Sequence, residues 1–149
     1  MSKKILIIVP NLGIGGGAER IAAKISSALN EINIKTITLT YHNVKPMYKY
    51  KGKLICLNKK QNSDRYPFEF TINVLKEAKK ISQICEKQKI TSTISFMMRS
   101  NLGSIYSKIF FKNNSKIILS VRNNPMNRDK ISKFFMKKLY SKSDKIVCL

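Results

Sequence analysis

The chain has 149 residues and a mass of 17.1 kDa, which suits one domain. Hydrophobic residues make up 43%, charged residues 25%, and Gly and Pro number only 6 and 4, so disordered, collagenous and low-complexity classes are excluded. The excess of 29 Lys and Arg over 8 Asp and Glu gives a net charge of +21, which draws the chain to anionic partners such as phosphates, nucleic acid or an acidic membrane surface.

The apolar run Ile5 to Val9, closed by Pro10, predicts a strand buried on both faces of a parallel sheet. Asn11 to Gly17 reads as a loop. From Ala18 to about Ile32, apolar residues at 21, 22, 25, 28, 29 and 32 mark one face of a helix. Lys35 to Tyr41 alternates as a second strand, and a shorter strand is expected at Lys53 to Leu57. After a polar loop, Phe70 to about Lys87 is helical by pattern, with Ile72, Leu75, Ala78, Ile81, Ser82 and Cys85 inward. A strand at Thr91 to Phe96, a helix at about Leu102 to Phe111 and a strand at Lys116 to Val121 come next. A helix at about Lys130 to Tyr140 and a strand at Lys145 to Leu149, with a buried pattern, close the chain.

This alternation predicts an α/β fold, a Rossmann-like, mostly parallel sheet with helices on both faces. Ligands of such sheets sit beyond the carboxyl ends of the strands. No repeat or linker divides the chain, so residues 1–149 are expected to form a single domain. Nothing after Leu149 covers the last strand, which implies either a truncated chain or a partner that supplies the remainder.

Several chemistries lose ground at once. The carboxylates form no close pair of the kind glycoside hydrolysis or a hard metal requires. Cys56, Cys85 and Cys148 are scattered, with only His42 to join them, and read as reduced thiols of a cytoplasmic protein rather than metal ligands or disulfides. The 24 Lys against 5 Arg, in a chain heavy in Ile and Asn, also match a mixture that nucleotide bias produces, so the charge alone selects no partner.

Gly13 to Ala18 follows a buried strand and opens a helix, the setting in which backbone N–H groups and the helix dipole hold a phosphate. A dinucleotide fingerprint fits poorly, because Pro10, Asn11 and Leu12 separate strand from glycines and the second strand ends without an acid. A P-loop lacks its Gly-Lys-Ser/Thr ending.

The run Lys4 to Pro10 followed by Gly15-Gly16-Gly17-Ala18-Glu19-Arg20 resembles the opening of retaining glycosyltransferases of the GT4 family. The similarity continues at Ile94 to Asn101, at Ser120 to Pro125 and at Ser143 to Cys148, in the right order over nearly the whole chain. It implies the N-terminal, acceptor-side half of a GT-B architecture whose C-terminal donor-binding domain is absent here. The implied reaction moves a sugar from a nucleotide-diphosphate sugar, of the UDP class, to a lipid-linked or polysaccharide acceptor in surface glycan synthesis. The nucleotide sugar is a substrate, and no cofactor or metal is implied. Without the donor domain, the chain alone is expected to be inactive.

The resemblance places Gly15, Gly16, Gly17 and Arg20 beside the donor diphosphate and Arg99, Asn101, Arg122 and Asn123 in the acceptor cleft. Both of the latter groups follow strands, where arginine suits phosphate and asparagine suits sugar hydroxyls. Relatives often carry a cleft histidine after one of these strands; this chain has none there, and His42 reads as a loop residue. No catalytic side chain is therefore assigned. A retaining transfer in which the leaving diphosphate takes the acceptor proton asks mainly for positioning and charge stabilisation.

Lysines and aromatics mix at Ser107 to Lys112 and at Lys130 to Lys142. Lys130, Lys133, Lys137 and Lys138 are the candidates to face an anionic membrane, which would hold the protein peripherally on the inner face of the cell membrane. The alternative puts the aromatics in the core and leaves the lysines solvated. A non-catalytic binding module, or half of a split enzyme, is the competing functional reading. Nucleic-acid binding ranks below both, since no recognised fold or aromatic platform for it is present.

Overall fold

The computed structural model describes residues 3–58, 67–121 and 130–148. Among these residues six strands, β1 (Lys4–Ile8), β2 (Lys35–Thr40), β3 (Lys53–Cys56), β4 (Ser92–Phe96), β5 (Lys116–Val121) and β6 (Lys145–Cys148), form one sheet in the order β3-β2-β1-β4-β5-β6. Every pairing is parallel, so all carboxyl ends lie along one edge. Among the described residues four α-helices complete this Rossmann-like fold: α1 (Gly17–Glu31), α2 (Pro67–Gln88), α3 (Met97–Phe111) and α4 (Lys130–Leu139), the last continuing into a 3-10 turn at Tyr140–Lys142.

The chain grows outward from β1 in one direction and returns to grow from β4 in the other. Right-handed crossovers in opposite directions put helices on opposite faces. Alternation along the strands confirms the division. Ile7, Val9 and Phe96 pack with Ala18 and Ala22 of α1. Leu6, Ile8, Ile37 and Leu39 pack with Ile81 and Cys85 of α2, and Ile117 and Leu119 pack with Leu102 and Ile105 of α3 and with Tyr140. Leu6, Ile7, Ile8 and Val9 are fully enclosed, each contributing about 1.5–3 kcal/mol of burial.

Three expectations need correction. The inward face of α1 is Ala18, Glu19, Ala22, Ala23 and Ser26, while Ala28 and Ile32 are exposed. Small residues there let the helix approach β2, where Ser26 Oγ and Thr36 Oγ1 share a 2.8 Å hydrogen bond. Helix α3 begins at Met97, immediately after β4, rather than near Leu102. Met97 adopts φ 70°, and this left-handed residue turns the chain from strand to helix without a linker. Finally, β6 is an edge strand with all four residues exposed, not a buried one.

Asp144 fastens that edge. Its Oδ2 accepts from the Ile117 N–H (2.8 Å) and from Lys108 Nζ (2.6 Å), and its own N–H donates to Ile117 O (2.9 Å). The Ile117 N–H, and after it Lys108, hold the carboxyl below its ordinary pKa. A depressed folded pKa contributes stability above the ordinary carboxylate value, and that contribution is lost as pH falls through the folded one. The urea midpoint should therefore fall between neutral pH and about pH 3 more steeply in the native chain than in Asp144→Asn, which lacks the titrating group. Identical pH profiles would show that Asp144 has no such role.

Candidate functional site

Between β1 and β4 the order of strands reverses, and a crevice opens beyond their carboxyl ends at such a point. Two helices start beside it from opposite faces, α1 after the glycine loop and α3 directly after β4. Their caps are Gly16 and Phe96, and neither end has a side-chain cap. The first N–H groups of both helices thus lack an intrahelical acceptor and carry the positive ends of two dipoles.

The glycine loop is held in shape by its own chain. Asn11 Oδ1 accepts from the N–H groups of Gly13 (3.0 Å) and Ile14 (3.1 Å), an Asx turn set by the asparagine two residues before a glycine. The loop after β2 clasps it: the Met47 N–H donates to Leu12 O (2.9 Å) and Tyr48 Oη to Gly15 O (2.7 Å). Gly15 has φ +76°, and a Cβ there would stand 2.5 Å from Met47 Sδ. At Gly16 a Cβ would stand 2.5 Å from Glu19 Oε2. Gly15 thus requires glycine for its backbone conformation, whereas a side chain at 16 would displace the Glu19 carboxylate. Gly17 differs, since a Cβ there would meet nothing within 4 Å. Arg20 is exposed on the next turn, and Ile14, 76% exposed, projects from the tip.

On the α3 side, Arg99 lies in the helix's first turn rather than on a loop. Its guanidinium grips the buried Glu77 of α2, Nη2 to Oε1 at 2.7 Å and Nε to Oε2 at 3.0 Å. The guanidinium also lies over the rings of Phe70 (5.1 Å) and Tyr41 (5.8 Å). Burial, and after it the Glu77 charge, raises the Tyr41 hydroxyl well above its ordinary pKa, so it is a neutral phenol. Asn101 is 1% exposed and lies beneath the crevice rim. Its Oδ1 accepts from Ser95 Oγ (2.8 Å), while its amide donates to Tyr140 Oη (3.2 Å) and Ser120 O (3.4 Å). Arg122 and Asn123 lie outside the described residues.

Four residues of this region were not singled out by sequence reading: Asn11, Met47, Tyr48 and Glu77. Glu77 had a usable signal, because with Val74, Ala78 and Ile81 it sits on one helical face, where a lone acid needs a cation. Tyr48 had none; its partner is 33 residues away.

His42 is half-buried in the loop after β2, its N–H near Pro10 O (3.3 Å). Helix α4 turns Met136 and Leu139 toward the core, whereas Phe134 is 58% exposed under Lys138 Nζ (5.6 Å). Lys133, Lys137 and Lys138 are exposed, and the Lys130 side chain lies outside the described residues. Among the described residues, no three His, Cys, Asp or Glu side chains gather as metal ligands would, and no helix is long and apolar enough to cross a membrane.

No protein-family model matches the chain, and no curated protein matches it. Among solved structures, a glycosyltransferase from Rickettsia africae ESF-5 is similar over 98% of this chain, with a TM-score of 0.61 and 20% sequence identity. The likeness is one of fold. The chain spans 42% of the length of that protein.

Proposed function

We propose that this chain is the acceptor-side, N-terminal domain of a GT-B glycosyltransferase of the GT4 kind. It would act with a separate or following donor-binding domain on a nucleotide-diphosphate sugar of the UDP class. The observation that carries this reading is the meeting of the glycine loop and two uncapped helix N-termini at the strand-order reversal. Similarity in fold to a glycosyltransferase over nearly the whole chain supports it.

In this reading the N–H groups of Gly15, Gly16 and Gly17 face the donor diphosphate and stabilise it as it leaves, with Arg20 adding charge from the next turn. Arg99 borders the acceptor cleft from the first turn of α3 and Asn101 supports that rim from below, while Arg122 and Asn123, which follow β5 in sequence, complete the set. Replacing Gly17 with alanine tests the loop. A Cβ there meets open space, so the fold is retained, with stability unchanged or raised by up to about 1 kcal/mol. UDP affinity, read by calorimetry, should drop about tenfold, because the methyl group stands in the path of the phosphates. Unchanged affinity in a folded variant would remove the loop from the site.

A lipid-linked acceptor of surface glycan synthesis fits the exposed Phe134 among exposed lysines on α4. Each lysine adds on the order of 1 kcal/mol of attraction to an anionic surface. The chain should sediment with vesicles of anionic lipid at low salt and be released at high salt. Equal sedimentation with neutral vesicles would remove the electrostatic part of this docking.

A further inference from the structure

The two helix N-termini at the crevice are not equivalent. The first turn of α3 holds no acid, while that of α1 holds Glu19. This glutamate is 8% exposed, on a chain with few carboxylates, and no hydrogen bond or ion pair joins it to a described residue. Its side chain folds back along the loop, placing Oε2 2.5 Å from where a Cβ at Gly16 would stand. A buried carboxylate without donors is costly, and the α1 dipole offsets that cost in part. The lone pairs remain unused.

We infer that Glu19 is a sugar-positioning residue: its carboxylate accepts hydrogen bonds from ring hydroxyls of a sugar lying against the glycine loop. A carboxylate repels phosphate and suits hydroxyl donors, and its setting beside the exposed Gly17 and Arg20 leaves room for both chemistries side by side. The inference rests on the proposed function above. It adds that this end of the crevice sorts ligand groups, backbone N–H groups and Arg20 taking phosphate while Glu19 takes hydroxyls.

Glu19→Gln tests it, since glutamine keeps the shape and removes the charge. Dissociation constants for inorganic pyrophosphate, UDP, UDP-glucose and methyl α-glucoside are measured by NMR titration of the native chain and the variant. Pyrophosphate should bind the variant several-fold more tightly, because a neighbouring negative charge is gone. Sugar hydroxyls should bind it about tenfold more weakly, because a charged hydrogen-bond acceptor is lost. A loss seen for UDP-glucose relative to UDP assigns Glu19 to the donor sugar. A loss confined to the free glycoside assigns it to the acceptor. If UDP binds and neither sugar arm changes in a folded variant, the inference fails while the proposed function stands. If UDP and glycoside both leave the native chain unperturbed, both fail.

Discussion

Replacing Arg99 with alanine should lower the unfolding free energy by about 3–5 kcal/mol, because it removes the guanidinium that grips both oxygens of the buried Glu77 carboxylate. The Glu77 side chain is 7% exposed, so water cannot replace the guanidinium. The fork on both carboxylate oxygens and the stacking on Phe70 and Tyr41 also make lysine a poor substitute, since it is a point charge with no planar face. Arg99→Lys should therefore recover less than half of the loss. Replacing both partners at once, Arg99→Met with Glu77→Leu, should restore most of it, because the buried charge goes with its partner. Urea denaturation of the four proteins gives the cycle. A single-variant loss under about 1 kcal/mol would mean that the pair is solvated in solution.

Asn101→Ala should cost about 2–4 kcal/mol. The amide joins three elements beneath the crevice, through Ser95 of β4, Ser120 O of β5 and Tyr140 after α4. Truncation strips a partner from each of these buried groups and opens a small void, and Asn101→Leu should cost as much despite filling the space. Hydrogen exchange should quicken at the carboxyl ends of β4 and β5 in both variants while the far edge at β3 stays protected. Uniform exchange throughout the sheet would contradict this local role.

The sheet was the most legible part of the chain. The apolar run Ile5 to Val9 carries the pattern of a strand covered on both faces, and the alternation of strands with helices implies parallel pairing. Helix α3 was harder to read because, beside Leu102 and Ile105, its buried positions are the small or polar Ser100, Asn101, Gly103, Ser104 and Ser107. Ser104 and Ser107 donate to carbonyls of their own helix, at Ser100 (2.9 Å) and Ser104 (2.6 Å), so these polar side chains can be buried. Small size, not apolarity, lets α3 approach α2, with Ile81 Cδ1 3.2 Å from where a Cβ on Gly103 would stand. Hydrophobic periodicity is blind to such a face.

The glycine loop shows the same division at the candidate site. Its place after a buried strand and before a helix was legible. The reasons for individual glycines were not, since Gly15 makes room for Met47 and Gly16 for Glu19, contacts that exist only after folding. Arg99 and Asn101 follow β4 in the first turns of α3, but the partners that occupy them, Glu77 and Tyr140, come from elements distant in sequence.

The central claim is that the crevice between β1 and β4 is the ligand site. Titrating the isotopically labelled chain with UDP and following its backbone amides by NMR addresses this most directly. The account predicts that the largest shifts fall on Gly15 to Ala18 and on Met97 to Arg99, the two helix starts that flank the crevice. Shifts confined to α4 or to the amino edge of the sheet, or no shifts at all, would contradict it.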